Sequence, residues 1–305
     1  MLSRIISLSS NYLLVSVLAV AIATLSACST TKDDEDLASQ TEKEFYDAAQ
    51  RQLRTQQWEL AIQNLQALED NFPFGNFAEQ AQLDLIYAYY RNFDFDACTA
   101  AADRFIRLHP RHRQVDYAYY MKGLASFTEG SGLFERFVPT DLSQRDPGAA
   151  RESFAHFNQL LTLFPDSPYA PDAEKRMIYL RNLLARYEIH VANYYFKRGA
   201  YIAAVNRGRY VVENFEQTPA VPDALAVMVQ GYQLLGLNEL SDDALAILRN
   251  NYPNHPALKE DGSFDFQFNT AGERSWISKL TFGLFDKTEP PGFDSRELYN
   301  AEYKK

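Results

Sequence analysis

Five stretches of the chain end alike: ALEDNFPFG (67–75), RFIRLHPRH (104–112), LLTLFPDSP (160–168), VVENFEQTP (211–219) and LRNNYPNHP (248–256). Each reads as an amphipathic helix that stops at an aromatic residue or a histidine, with a proline one to four residues later. Proline has no N–H to donate and its ring clashes with the preceding turn, so the helix ends there. Pro73 and Pro110 are 37 residues apart, as are Phe215 and Tyr252, whereas Pro110 to Pro165 is 55 and Phe164 to Phe215 is 51. Helical segments punctuated at a recurring interval imply one supersecondary unit used repeatedly, with each copy burying its apolar face on its neighbours.

Ahead of each ending the apolar residues fall on helical faces. Phe45, Ala48, Ala49 and Leu53 form one such face, and Trp58, Ala61, Ile62, Leu65 and Leu68 the next. Phe95, Cys98, Ala102 and Phe105 follow Trp58, Ala61, Leu65 and Leu68 by 37 residues, and Tyr201 and Ala204 take the first two places again. An aromatic residue, a small residue one turn later, an apolar residue and then proline resemble the tetratricopeptide helix–turn–helix repeat. The small residue lets two helices approach, and the aromatic rings fill the space between pairs. The expected fold is therefore all-α, a right-handed solenoid of about five TPR-like hairpins over residues 41–256. Thr128–Gly148 is polar, rich in turn residues and too long for a simple turn, so it reads as an insertion. A long helical pattern between Pro171 and Ala200 is expected to join N-terminal repeats 1–3 (41–168) to C-terminal repeats 4–5 (169–256). Residues 257–305 read as an irregular tail with one short amphipathic piece, SWISKLTF (275–282).

The start of the chain carries a different message. Arg4 precedes an apolar run from Tyr12 to Leu25, and Leu25-Ser26-Ala27-Cys28 matches the bacterial lipobox. Residues 1–27 are expected to be a lipoprotein signal peptide. By resemblance to lipoproteins, Cys28 would carry S-diacylglycerol and an N-acyl chain, and Ser29 after it would direct the protein to the outer membrane. Three acyl chains, at about 0.8 kcal/mol per buried CH₂, anchor a protein firmly. Residues 28–40, polar and acidic, read as a flexible tether holding a periplasmic body off the bilayer. Two cysteines in 305 residues make no disulfide framework. A net charge of −10 leaves no continuous basic face for nucleic acid.

Residues that could carry chemistry are scattered. His109, His112, His156, His190 and His255 are scattered, and no cysteine or carboxylate joins His109 and His112 at ligand spacing. Asp94 and Asp96 fall at a turn where aspartate caps helices, and Cys98 occupies a small-residue core slot rather than a nucleophile's position. With no Gly-rich phosphate loop and no nucleophile elbow, an enzyme is not expected, nor any cofactor or metal beyond the acyl groups of Cys28. Tyrosines remain: Tyr-Ala-Tyr-Tyr occurs at 87–90 and 117–120, and Tyr194-Tyr195-Phe196 follows. These rings either pack between repeats or line a groove for an extended, aromatic-rich peptide. The groove candidates are Phe72, Tyr87, Tyr90, Tyr117, Tyr120 and Tyr194.

NFPFGNFAEQAQLDLIYAYY (71–90), RFIRLHP (104–110), VDYAYYMKGL (115–124) and YEIHVANYYFKRGAYIAAVNR (187–207), with the lipobox at Cys28, resemble the BamD (ComL-like) family of lipoproteins. That resemblance implies a non-catalytic subunit of the outer-membrane β-barrel assembly (BAM) complex. It implies as partners the periplasmic domain of BamA, the lipoproteins BamC and BamE, and unfolded outer-membrane proteins, whose C-terminal targeting strands it would help to recognise. The C-terminal repeats would hold BamA, with Arg207 as the charged contact; a solvated arginine or an internal salt bridge is the alternative. Trp276 is the candidate contact of the 275–285 segment, which would dock a partner lipoprotein or fold back on the last hairpin. The older ComL naming suggests a peptidoglycan-associated structural lipoprotein instead, although paired carboxylates suited to a saccharide cleft are not evident.

Overall fold

A computed structural model describes residues 41–131, 141–266 and 292–299. These fall into two compact units, 41–92 and 93–299. Both are built from α-helices, and among the described residues the single pairing of extended backbone is the isolated bridge between Leu258 and Phe264.

The first unit holds α1 (Glu42–Arg54), α2 (Trp58–Asn71) and α3 (Ala78–Arg91), with α2 packed on both of the others. Thr41 starts α1 with a capping box: its side chain accepts from the Glu44 N–H, and the Glu44 carboxylate accepts from the Thr41 N–H at 2.7 Å. Phe45 and Ala49 of α1, Leu65 and Leu68 of α2, and Ala81 and Ala88 of α3 form the apolar core.

The second unit contains α4 (Phe95–Leu108), α5 (Val115–Ser131), α6 (Gly148–Leu163), α7 (Ala170–Lys197), α8 (Tyr201–Asn214), α9 (Val221–Leu234), α10 (Asn238–Asn251) and the short α11 (Arg296–Tyr299). From α4 to α10 each helix packs on the next, so α5/α6, α7/α8 and α9/α10 are TPR-like hairpins.

The five sequence endings are five copies of one backbone turn. Helices α2, α4, α6, α8 and α10 stop at Phe72, His109, Phe164, Phe215 and Tyr252, all with φ between −123° and −137° and ψ between 40° and 65°. Each of these residues donates its N–H, at 2.8–2.9 Å, to the carbonyl four residues back, on Leu68, Phe105, Leu160, Val211 and Leu248, whose side chains are all fully buried. Its own carbonyl then accepts from the N–H three residues on, at Gly75, His112, Ser167, Thr218 and His255. The buried side chain fixes the last helical turn while the following proline, with no N–H to satisfy, leaves the helix. The fourth copy lacks that proline, and there Gln217 takes a φ of +62° to complete the same hydrogen bonds.

The tight links are equally uniform. Two residues before α2, α4, α8 and α10 stand Gln56, Phe93, Gly199 and Gly236, with φ of 59° to 72°. Glycine adopts this left-handed conformation without cost, whereas Gln56 and Phe93 pay for their Cβ atoms. Eleven residues before each ending lies the small slot read from the sequence, occupied by Ala61, Cys98, Ser153, Ala204 and Ser241, all buried. Two of these are polar and still fit, because Ser153 donates to the Gly123 carbonyl at 2.8 Å and Ser241 to that of Val229 at 3.0 Å.

Two boundaries differ from the sequence reading. α5 continues to Ser131, so the insertion expected at 128–148 starts inside a helix; its end is the 3₁₀ turn Leu142–Gln144, which packs on α7. α7 matches its expectation: the helical stretch read between Pro171 and Ala200 is one unbroken 28-residue helix, packed on both α6 and α8 and forming the first arm of a hairpin. Residues 292–299, within the tail expected to be irregular, form an ordered strap on the second unit, because backbone and side-chain hydrogen bonds fix it there. Cys28 and Trp276 lie outside the described residues.

Candidate functional site

In the first unit the expected groove residues divide. Phe72 is half-buried against the core, its ring 6.3 Å from that of Phe45, so it serves packing; its neighbour Phe74 is wholly exposed. Tyr87, near the end of α3, meets Trp58 edge-on at 5.9 Å. Its hydroxyl accepts from Arg91 Nη1 at 2.6 Å, and that guanidinium lies 4.5 Å over the Trp58 ring. Tyr87, Trp58 and Arg91 thus make a partly open aromatic–cation surface. Tyr90 is half-buried beside it in sequence.

In the second unit Tyr120 stacks on Tyr169 at 4.7 Å with an interplanar angle of 17°, and Tyr117 lies 5.7 Å from the same ring. The Tyr120 hydroxyl donates to Asp172 Oδ2 at 2.8 Å, and Asp172 also accepts from Arg176. Burial, reinforced by Asp172, pushes the Tyr120 hydroxyl up to about 12, so it remains a donor at any physiological pH. Burial opposes ionisation of Asp172, but Arg176 and Tyr120 hold its carboxyl below the usual range. The structure therefore joins Tyr117 and Tyr120 through Tyr169, Asp172 and Arg176, which the sequence reading missed. The only signal for them is their place at the start of α7, two helices on from the tyrosines.

Tyr194 is 49% exposed on α7, its hydroxyl accepting from Arg198 Nε at 3.1 Å. It borders two adjoining hollows of about 250 and 330 Å³, both also lined by Gln144 and His190. The wall of the first is the strap. Asn193 clamps it, donating to the Phe293 carbonyl and accepting from the Phe293 N–H, both at 3.0 Å. Arg296 reaches back to Asp141 at 2.6 Å.

Beneath the strap lies Asp223 of α9, fully buried. Arg186 of α7, His255 in the last turn and the Ser295 N–H all meet its carboxylate, the last two at 3.1 and 2.9 Å. Burial alone would raise its pKa, yet the bonds from His255, Arg186 and Ser295 hold it below the ordinary value. Its neighbours are 37, 32 and 72 residues away in sequence; Arg186 alone stands at the 37-residue repeat interval, and periodicity offers no hint of the other two.

Arg207 has an internal partner: its Nη1 donates to Glu188 Oε2 at 2.8 Å, while its side chain remains 41% exposed. The salt-bridge alternative is therefore present, on a side chain that is still partly open to solvent. Cys98 is fully buried, and burial, with Asp94 nearby, pushes its thiol up to about 12, too high for a nucleophile. Asp94 caps α4 through a 3.2 Å bond from the Ala97 N–H, as its turn position predicts. His109 and His112 lie against the Phe105 ring at 5.1 and 5.3 Å. No described helix is long and apolar enough to cross a membrane.

Comparison with known proteins adds an independent line. The outer membrane lipoprotein family YfiO matches residues 38–247. A Neisseria meningitidis serogroup A protein described as outer membrane protein assembly factor BamD is 40% identical over 238 residues, covering 77% of this chain and 89% of the relative. Proteins of the same description from Vibrio cholerae and Xylella fastidiosa are 36% and 34% identical, covering 95% and 88% of those relatives.

Proposed function

The chain belongs to the BamD family of outer membrane protein assembly factors, and from that premise we propose that it is a lipid-anchored, non-catalytic subunit that holds polypeptides on two kinds of surface. As a family member it is a BAM complex subunit associated with the outer membrane. Cys28 carries the acyl anchor, and the body faces the periplasm. The half-buried tyrosines at the ends of α3 and the start of α5, with Tyr194 on α7, take the aromatic-ended strands of unfolded outer-membrane proteins. The α7/α8 side, through Arg207, takes the periplasmic domain of BamA, and Trp276 contacts a smaller lipoprotein such as BamC or BamE.

The observation that supports this reading best is the chemistry of the tyrosines. Tyr87, Tyr120 and Tyr194 each present a ring with its hydroxyl tied to an arginine or aspartate. Rings held in this way offer contact area with few rotors left to freeze, which suits capture of many sequences with modest affinity.

The test is isolation of the full chain and its Cys28→Ala variant from fractionated, detergent-solubilised membranes. The natural chain should sediment with the outer membrane together with a barrel protein bearing periplasmic repeat domains. The variant should be folded and released. Full membrane retention of the variant contradicts the anchor, and co-isolation of glycan strands or hydrolases without the barrel protein contradicts the assembly role.

A further inference from the structure

The turn that ends α2 departs from its four counterparts in one residue. Two places after the residue that stops each helix stand Phe74, Arg111, Asp166, Gln217 and Asn254, every one exposed. The shared backbone turn accepts charged and amide side chains at this place, so it has no need of an apolar one. Phe74 alone among the five puts a ring there, and that ring is 100% exposed. Pro73 beside it is exposed as well, and from Asn71 to Asn76 the turn carries no charged side chain. The same turn is pinned to the start of α1. Glu42 Oε1 accepts the Phe77 N–H at 2.6 Å, and Gly75 leaves room for that carboxylate, which a Cβ would strike. The Phe77 ring stacks on Tyr46 of α1 at 4.6 Å, while Phe72 packs beside Phe45 in the core. Phe74 is thus displayed on a turn held at both ends, with little ordering left to lose on contact.

We infer that Pro73 and Phe74 form a lipid-contacting tip, which touches the zwitterionic phospholipid surface to which Cys28 ties the chain. This rests on the proposed acyl anchor and adds a second point of contact, on the folded body itself. The place where the chain enters that body favours a lipid occupant. Only the 13 residues 28–40 separate the anchor from Thr41, and a chain of that length spans at most about 45 Å. The turn is hydrogen-bonded to the very next residue, Glu42, so it belongs to the part of the body reached first from the bilayer. An aromatic ring settles at the boundary of headgroups and acyl chains, and an uncharged turn enters it without stripping water from an ion. One ring holds a free protein only weakly, but the anchor makes the contact intramolecular, and at such an effective concentration a weak contact is populated. Asp70 and Glu79, exposed on the helices either side of the turn, and the net charge of −10 select an uncharged surface over an anionic one.

The experiment places the full acylated chain in phosphatidylcholine vesicles with a nitroxide on Asn76→Cys, an exposed position beside Phe74. Cys98 is fully buried, so it does not compete for the label. A water-soluble relaxation agent should reach the label several-fold less when Phe74 is present than in the Phe74→Asp background. Both chains should sediment with the vesicles and give the same circular dichroism, since Phe74 touches none of the core. Equal access in the two backgrounds overturns the contact and leaves the anchor standing. A chain that stays in the supernatant overturns the anchor and the contact with it. Phosphatidylglycerol in the vesicles should weaken the shielding, and unweakened shielding overturns the choice of an uncharged surface. Shielding that arises only after a peptide ending in an aromatic residue is added assigns Phe74 to a polypeptide and overturns the lipid reading.

Discussion

In the first unit Phe45, Leu65 and Leu68 are buried in a wholly apolar cluster, and polar contacts such as Asn64 to Gln52 at 3.0 Å run around its edge. Between α7, α9 and the strap the order is reversed. There the fully buried group at the centre is Asp223, and an arginine, a histidine and a backbone N–H converge on it. An apolar cluster loses a few kcal/mol when one member is trimmed, because burial is lost and neighbours relax only partly into the gap. A buried ion pair that loses one member strands the other charge, and every segment attached to it is loosened together.

Asp223→Ala is the largest expected break in that contrast. It leaves buried Arg186 with only the more exposed Asp294, at 3.5 Å, as a carboxylate partner and should cost about 3 kcal/mol. Hydrogen exchange should show protection lost at 292–299 and in the turn around His255, with α1–α3 unaffected. Leu68→Ala should cost about 2–5 kcal/mol, with protection lost in α1–α3.

Acid sharpens the difference. Burial opposes ionisation at Asp141, but bonds from Ser143 and Arg296 hold its carboxyl at about 2, below the ordinary 3.8, and Asp223 is likewise held low. Since the folded values lie below the unfolded ones, the unfolded chain binds more protons in this range. The stabilisation is complete above the unfolded value and is lost as pH falls through the folded ones. The strap should therefore loosen between about pH 4 and 2. As pH falls below the ordinary carboxylate value the deficit of Asp223→Ala should shrink and that of Leu68→Ala should stay constant, as denaturant titrations would record. Equal pH dependence of the two deficits contradicts the distinction. The smallest effect is a gain: Gln56→Gly should stabilise the first unit by about 0.5–1 kcal/mol, because glycine accepts the left-handed φ that Gln56 strains to adopt.

The two regions also differ in how much of them the sequence disclosed. Helix endings, the small slot at Ala61, Cys98 and Ala204, and the cap at Asp94 depend on residues within one or two helical turns, so periodicity and proline spacing carry them. Serine in that slot at Ser153 and Ser241 escapes notice, since its fit depends on a carbonyl in the preceding helix. The hub at Asp223, the strap at Phe293 and the pairing of Arg151 with Arg207 through Glu188 join residues brought near only by folding. Among the groove candidates, aromatic identity alone did not separate Phe72, which packs on Phe45, from Tyr194, which is half exposed. That distinction depends on which way the chain turns at a helix end.

The central claim is that client strands and the assembly partner are held by different residues, the tyrosines in one case and Arg207 in the other. The most direct measurement is site-specific photocross-linking in the assembled complex, with the reactive residue placed in turn at Tyr87, Tyr120, Tyr194 and Arg207. Adducts to unfolded outer-membrane protein from the three tyrosine positions, and to BamA from Arg207, are the expected result. Client adducts from Arg207 with none from the tyrosines would contradict it.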